Sequence, residues 1–204
     1  MSEGSRALAS LSGVLDAPLW VVTAAHGGAR GGLIATSVIK ASTVPEAPRM
    51  LISISRTHRT WELIDASRSF ALQPVPRTRI DWVERFGTIS AREVDKFAGL
   101  AVESTAEGPP RLVEAPALLV CRVEAAFDAG DRSLFLGEVV AGSPLAPDSG
   151  FEPLTVGACW SMLRPEALDR FRARLEAETP GAYEAILQWR ARHVSTTDSS
   201  RNRS

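Results

Sequence analysis

The segment from Gly31 to Thr60 constrains this chain more than any other part of its sequence. Two adjacent glycines precede the hydroxyl pair Thr36 and Ser37, and a proline-bounded turn then leads into an apolar run that ends in the charged loop 56–60. Small residues let a flat ligand approach the backbone closely, and hydroxyls with backbone N–H groups can hold a phosphate or a polar ring edge. Two arginines in the loop add fixed positive charge. The segment therefore predicts two strands that bracket a site for a phosphorylated planar cofactor.

The composition fits one ordinary domain with an appendage. The chain has 204 residues, 45% of them hydrophobic, and a formal net charge of −1. A chain of this length can bury most of its apolar surface in one core, and a charge near zero gives no general attraction to nucleic acid or anionic membrane. We find no signal peptide and no run near the roughly 20 apolar residues of a membrane span. We expect a cytoplasmic protein that binds neither nucleic acid nor membrane.

Cysteine and histidine usage gives no sign of a metal site. Cys121 and Cys159 lie in apolar surroundings, and the three histidines are scattered along the chain. The spacing matches neither a disulfide framework nor a zinc site, so we interpret both thiols as buried and free. The sequence also lacks a Gly-x-Gly-x-x-Gly motif and a positioned nucleophile for a catalytic triad. It therefore predicts no bound metal.

Hydrophobic patterning predicts mostly strands before residue 141. Apolar runs bounded by turns predict strands at 15–25, 33–41, 49–55, 70–75, 117–126 and 133–140. Helices are predicted at 60–67 with Thr60 as N-cap, at 81–87, and at 91–100 with Ser90 and Glu93 as a capping box. Residues 103–110 have the composition of a loop. Many strands with few short helices favour a mainly β fold, a β-barrel with peripheral helices.

The two ends of the chain differ in pattern from its middle. Apolar residues recur at helical spacing between 164 and 193, but Thr179-Pro180-Gly181 interrupts them, so two helices are predicted there. The last ten residues lack apolar side chains and predict disorder. The predicted division is a flexible arm at 1–12, a barrel domain at 13–160, a C-terminal helical extension at 161–194 and a disordered tail at 195–204.

The order of these pieces resembles the flavin reductase-like family, which has an FMN-binding split-barrel fold. The similarity runs from about residue 15 to residue 140. Each motif alone is weak, and their ordered succession carries the resemblance. The motifs are Pro-x-Trp-Val-Val-Thr from Pro18, Gly-x-x-x-Thr-Ser from Gly32, a turn with Pro45 and Pro48, Leu-Ile-Ser-Ile-Ser from Leu51, a loop ending at Thr60, Phe-x-Leu from Phe70, Asp95-Lys96-Phe97 and Phe-Leu-Gly-Glu-Val from Phe135.

The resemblance implies a flavin-dependent oxidoreductase that moves hydride from NADH or NADPH to FMN, with FAD possible as the flavin. It implies a homodimer with the flavin near the subunit interface, and a partner monooxygenase or other acceptor for the electrons. Because the flavin carries the chemistry, no catalytic side chain is predicted. The residues expected along the isoalloxazine and ribityl chain are Ala35, Thr36 and Ser37. Those expected to hold the phosphate are Ser53, Ser55, Arg56, His58, Arg59 and Thr60. Lys96 is expected near the flavin ring.

One departure from the family keeps a second function open. Many relatives have a histidine after the aspartate in the turn before the last barrel strand, whereas this chain reads Asp131-Arg132-Ser133. A non-catalytic FMN-binding electron carrier or storage protein is therefore the alternative, and a barrel that has lost its flavin is a third possibility. Without the resemblance, the hydroxyl pair could be an ordinary strand pair, the loop arginines could be solvated charges, and Lys96 could be a surface partner of Asp95.

Overall fold

Nine strands and five helices make up the part of the chain that the structure, a computed structural model, describes: residues 2–11, 13–89, 92 and 94–194. The strands are β1 (Trp20–His26), β2 (Ala29–Ala35), β3 (Val38–Lys40), β4 (Arg49–Ser55), β5 (Ser69–Pro74), β6 (Val102–Ser104), β7 (Pro110–Leu112), β8 (Leu118–Asp128) and β9 (Arg132–Ser143). The helices are α1 (Glu3–Ser10), α2 (Arg59–Ser67), α3 (Ile80–Gly87), α4 (Val156–Met162) and α5 (Pro165–Val194).

Seven strands form one antiparallel sheet in the order β2-β1-β5-β8-β9-β4-β3, and β6 pairs with β7 separately. The two edge strands, β2 and β3, are separated in sequence only by Thr36 and Ser37. The three Cα–Cα steps from the end of β2 at Ala35 to the start of β3 at Val38 span at most about 11 Å. The sheet must therefore curl until its two edges meet. We call this junction the seam. It is held on one side by the Ser53 N–H, which donates to the Ser37 carbonyl at 3.1 Å. The expectation of a mainly β, barrel-like fold with peripheral helices is confirmed.

Alternating burial along β4 explains how one strand serves both the core and the outer surface. Met50, Ile52 and Ile54 are buried inside the curl, whereas the serines at 53 and 55 are half-buried on the other face. This period of two is the expected geometry of a strand with one covered face. A second apolar cluster lies between β1 and the helices α3 and α4. Cys121 and Cys159 are buried free thiols, as predicted.

Two irregularities in the β8–β9 pairing help the sheet to curl. The register shifts between Val120 and Cys121 and again between Val123 and Ala125, and such bulges bend and twist a strand. On β9, Gly137 faces the Phe70 ring so closely that an added Cβ would lie 2.9 Å from a ring carbon. The glycine therefore lets the aromatic side chain fill the inside of the curl.

Two predicted elements around the seam and after α3 are wrong. The single strand expected at 33–41 is divided between β2 and β3, because each half pairs with a different neighbour. The helix expected at 91–100 is replaced by turns in its described part from 94 onward: Asp95 accepts the Phe97 N–H at 3.0 Å, and Gly99 has a φ of +75°. Ser90 and Glu93, the predicted capping box, lie outside the described residues.

The N-cap of α2 was also predicted incorrectly, and the loop expected at 103–110 is shorter than predicted. His58 precedes the first turn of α2, and Thr60 is buried within that turn. Residues 105–109 are the loop that joins β6 to β7, whereas 103, 104 and 110 belong to those two strands. Its anchor is the fully buried Gln73, whose amide accepts the Leu112 N–H at 2.6 Å and donates to the Pro110 carbonyl at 3.2 Å. These buried bonds fix a segment whose local sequence carries no strand pattern.

The C-terminal extension ends in one long helix instead of the two that were predicted there. α5 continues through Pro180 over 30 residues. A proline removes one helical hydrogen bond, but tertiary contacts hold the helix on both sides of it: Phe171 packs edge-on against Trp160 at 5.3 Å, and Trp189 packs against Phe127 at 6.1 Å. No helix in the described residues is both long and apolar enough to cross a membrane. The division into arm, barrel, extension and tail stays a prediction, and residues 195–204 lie outside the described part.

Candidate cofactor site

A cavity of about 570 Å³ opens beside the seam. Its walls are the end of β2 with the seam, the end of β4 with the loop at 56–58, the β8–β9 turn at 130–132, and one face of α5 between residues 175 and 192. This volume falls in the range of about 300–1,000 Å³ that is typical of small-molecule sites. We call it the seam cavity.

The seam cavity brings together seven of the ten residues predicted at the cofactor. The two serines on β4 reach it because they alternate with the buried isoleucines of that strand. The loop that follows is held in a tight turn, in which the Ser55 and Thr57 hydroxyls lie 3.0 Å apart and the His58 N–H donates to the Ser55 carbonyl at 3.2 Å. The seven lining residues are Ala35, Thr36, Ser37, Ser53, Ser55, Arg56 and His58.

Arg59 and Thr60 do not line the seam cavity. The Arg59 guanidinium forms an ion pair with Glu62 along α2. Thr60 is buried under β2, where its hydroxyl would lie 3.1 Å from a Cβ added at Gly31. The glycine thus allows α2 to approach the strand closely, and Thr60 contributes to packing.

Lys96 is also outside the seam cavity and is buried elsewhere. Its Nζ donates to the carbonyls of Gly32 at 2.9 Å and Phe86 at 2.8 Å, so it ties β2 to the end of α3. Burial lowers the pKa of Lys96 to about 7, and the charge of Arg174 contributes to the shift. The neighbouring Asp95 instead pairs with Arg30 at 2.7 Å, so the surface pair considered for these two residues is wrong.

Three arginine side chains line the seam cavity. Arg56 is held between Asp128, at 3.1 Å, and the face of the Trp61 ring, 5.3 Å from its centroid. Arg132 pairs with Asp131 at 2.8 Å, and α5 contributes Arg192. The lining therefore carries three arginines against two carboxylates, Asp131 and Glu178. A phosphate would meet oriented guanidinium groups, which favour it through charge-assisted hydrogen bonds.

His58 lines the cavity as a neutral ring. Burial, followed by the charge of Arg174, lowers the pKa of His58 to about 4. An Nη2 atom of Arg174 lies 3.3 Å from Nδ1 of His58. A guanidinium can only donate hydrogen bonds, so Nδ1 accepts and the ring proton resides on Nε2. Arg174 is itself fixed by Glu178, at 2.8 Å.

The contributions of the β8–β9 turn and of α5 were not predicted. The turn residues Gly130, Asp131 and Arg132 reach the cavity only because β9 pairs with β4 in the curled sheet. Gln188 and Arg192 reach it because α5 forms one of its walls. The family pattern at Asp131-Arg132 was the available signal for the turn, whereas the contribution of α5 has no local signal because it depends on tertiary docking.

A curled antiparallel sheet with a hydroxyl- and arginine-lined cavity at its seam defines a split-barrel protein with a site suited to a phosphorylated cofactor. The profile of the family described as "Flavin reductase like domain" matches residues 12–156. The chain belongs to this family, and the resemblance inferred from its motifs is confirmed.

Individual relatives agree with this membership. The reductase component of 4-nitrophenol 4-monooxygenase/4-nitrocatechol 2-monooxygenase from Rhodococcus opacus is 33% identical over 131 residues, which cover 62% of this chain and 68% of the relative. High molecular weight rubredoxin from Moorella thermoacetica is 31% identical over 67% of this chain. A crystal structure of a nitrilotriacetate monooxygenase component B homologue from Mycobacterium thermoresistibile has a TM-score of 0.65 and 26% identity, covering 74% of this chain and 82% of that one.

The match covers only part of some relatives. It spans 58% of the rubredoxin and 62% of actinorhodin polyketide dimerase from Streptomyces coelicolor, which is 34% identical over 56% of this chain. The shared part is therefore the split barrel.

Proposed function

We propose that this chain binds FMN in the seam cavity and acts as a flavin reductase that takes hydride from NADH or NADPH. The observation that carries the proposal is the convergence of seven predicted cofactor residues on one cavity of about 570 Å³. The names of relatives add support, because one is a monooxygenase reductase component and another, from Rhizobium rhizogenes, is an FMN reductase (NADH). FAD remains an alternative flavin.

The donor chemistry of the cavity fits a flavin nucleotide. The Ser53 and Ser55 hydroxyls and the Arg56 guanidinium would hold the ribityl chain and the phosphate, and the open strand end at 35–37 would face the ring system. Bound flavin would supply the redox chemistry by accepting a hydride and passing electrons on. The residues of this chain bind and orient the cofactor and restrict its contact with water. Arg59, Thr60 and Lys96 would act behind this layer, through packing and hydrogen bonds.

The proposed assembly includes a monooxygenase partner and a second copy of the chain. The partner is suggested by the reductase components among the relatives, and the homodimer and cytoplasmic location are predictions from the sequence. Sedimentation at several protein concentrations tests the dimer directly.

A second candidate is an FMN-binding protein without nicotinamide activity. The observation that favours it is the position of α5, whose residues from Leu175 to Arg192 cover one side of the cavity and narrow the approach of a second nucleotide. A structure of an FMN-binding protein from Thermus thermophilus is similar, with a TM-score of 0.58 and 27% identity. The two candidates share the cofactor and differ in the electron donor.

The flavin site is tested by titrating FMN against wild-type protein and the Arg56→Ala variant while following flavin fluorescence. Charge-assisted hydrogen bonds contribute about 1.5–3 kcal/mol, so the dissociation constant should rise at least about tenfold. Arg122→Ala is the matched control, because Arg122 is exposed on β8 and pairs with Glu138 at 3.7 Å, away from the cavity. Equal affinities of the two variants for FMN would remove Arg56 from the site.

The electron donor is tested on the FMN-saturated protein under anaerobic conditions. Bleaching of the flavin absorbance by NADH or NADPH supports the reductase. Bleaching by dithionite alone supports the carrier. Protein that neither binds FMN nor accelerates NADH oxidation refutes both candidates.

A further inference from the structure

A second cavity of about 310 Å³ adjoins the seam cavity. The two share a wall made of residues from β2, the seam, α5 and the residue that precedes α2. These shared residues are Leu33, Ile34, Thr36, His58, Leu175 and Glu178. A molecule in the second cavity would therefore lie directly beside whatever occupies the first.

The walls of the second cavity away from the shared side are apolar. Phe86 comes from α3, Cys159 from α4 and Phe171 from α5, while Val156 and Leu163 lie at the two ends of α4. The hydroxyl, imidazole and charged groups of the lining are confined to the shared wall and the adjoining Arg174. The cavity thus has an apolar body and one polar end.

The polar end carries no net charge. Arg174 is balanced by Glu178, with Nε and Oε1 2.8 Å apart, and its Nη1 donates to the Gly87 and Ile89 carbonyls at 3.3 and 3.4 Å. His58 accepts from the same guanidinium and keeps its own proton on Nε2. A charged ligand would find no free counter-ion here and would lose its hydration. An uncharged ligand with one acceptor oxygen would suffer neither cost.

The volume limits the size of the occupant. An apolar cavity of about 150 Å³ is sufficient for benzene, and this cavity is roughly twice that size. One or two rings therefore fit.

We propose that the second cavity binds an uncharged aromatic molecule of one or two rings, with its single oxygen directed at His58 and its rings against α3, α4 and α5. That this ligand lies next to the flavin rests on the proposed function, whereas the aromatic site itself does not. Seven of the sixteen lining residues lie beyond residue 156, where the match to the family ends. The site is thus formed jointly by the barrel and the C-terminal segment of this chain.

The test uses acetophenone as the probe and isothermal titration calorimetry on the full chain, with and without saturating FMN. Acetophenone should bind to both forms, and benzoate, its charged analogue, should bind at least tenfold more weakly. Val156→Phe fills the cavity and should weaken acetophenone binding at least tenfold. Met162→Phe adds a similar ring to an exposed position on the same helix, and it should leave binding unchanged. Thermal unfolding checks that both variants fold.

The outcomes separate this inference from the proposed function. Normal FMN affinity with no acetophenone binding overturns the aromatic site alone. Acetophenone binding without FMN binding leaves the aromatic site in place and overturns the flavin site. If Val156→Phe fails to fold, intermolecular NOEs between the acetophenone methyl group and the Phe171 ring in wild-type protein decide the question. Absence of those NOEs at saturating probe contradicts the proposal.

Discussion

Replacing Gly130 with alanine should release α5 from the barrel. Gly130 lies in the β8–β9 turn with a φ of +93°, and an added Cβ would lie 2.9 Å from the Ala185 carbonyl oxygen, 3.0 Å from the Trp189 Cβ and 3.1 Å from the Ile186 Cα. Two of these neighbours are helix backbone atoms, which cannot rotate away as the end of a side chain can. The helix must therefore shift, or the turn must.

The magnitude follows from two separable costs. A left-handed backbone conformation costs a residue with a Cβ about 1–2 kcal/mol. Overpacking against a fixed neighbour adds about 1–3 kcal/mol. Gly28→Ala isolates the first cost, because Gly28 has a φ of +79° and nothing within 4 Å of its added Cβ. We expect Gly130→Ala to lower the free energy of unfolding by about 2–5 kcal/mol and Gly28→Ala by about 1–2 kcal/mol.

Urea unfolding and limited proteolysis measure the two effects. Gly130→Ala should expose the trypsin sites of α5 faster than Gly28→Ala, and it should weaken FMN binding because α5 forms one wall of the seam cavity. Equal unfolding free energies and equal cleavage rates of α5 in the two variants would refute the reasoning. The close contact between the β8–β9 turn and α5 would then not determine the position of the helix.

Two further predictions concern groups whose protonation opposes folding. The pKa of His58 is lowered to about 4 in the folded protein, so on acidification the unfolded chain binds this proton first, and the free energy of unfolding falls as the pH drops through 6.5. We expect a loss of about 2 kcal/mol between pH 7 and pH 5. His58→Asn should abolish this loss, whereas substitution of the exposed His26 should not. The pKa of Lys96 is lowered to about 7 in the folded protein, so above pH 7 the folded chain has released a proton that the unfolded chain still binds. The free energy of unfolding should therefore increase from pH 7 to pH 9. Lys96→Met should remove that increase, whereas Lys40→Met, at an exposed position of β3, should keep it. Urea unfolding across pH checks both, and a His58→Asn profile parallel to wild type, or an unchanged slope in Lys96→Met, would contradict them.

The sequence predicted most of the strands because their signals are local. The alternation in Met50–Ser55 and the turn-bounded run at 70–75 are period-two or continuous apolar patterns, and each became a strand close to its predicted bounds. The family resemblance supplied the fold around them. Seven of the ten predicted cofactor residues line the seam cavity because their motifs lie at strand ends beside the seam.

The errors arise where tertiary contacts override a local pattern. Lys96 is next to an aspartate in a helix-like stretch, but its ammonium group is drawn into the interior by two backbone carbonyls. Pro180 ordinarily ends a helix, yet docking on both sides carries α5 through it. The division of the strand at 33–41 depends on which partner each half pairs with, and nothing within nine residues encodes that choice.

A ligand bound in the seam cavity should stabilise the seam against local opening. β2 and β3 are not paired with each other in the described residues, so the ring of strands is joined there by one covalent link and few hydrogen bonds. A molecule that contacts both Ala35 and Ser53 bridges the seam, and its binding free energy must be lost before the two sides of the seam can separate. Deuterium exchange in β2 and β3 should therefore slow with ligand concentration as 1 + [L]/Kd. The exchange rates of the central strands β5 and β8 should change little. Slower exchange confined to the two strands at the seam would therefore indicate that the cavity is occupied.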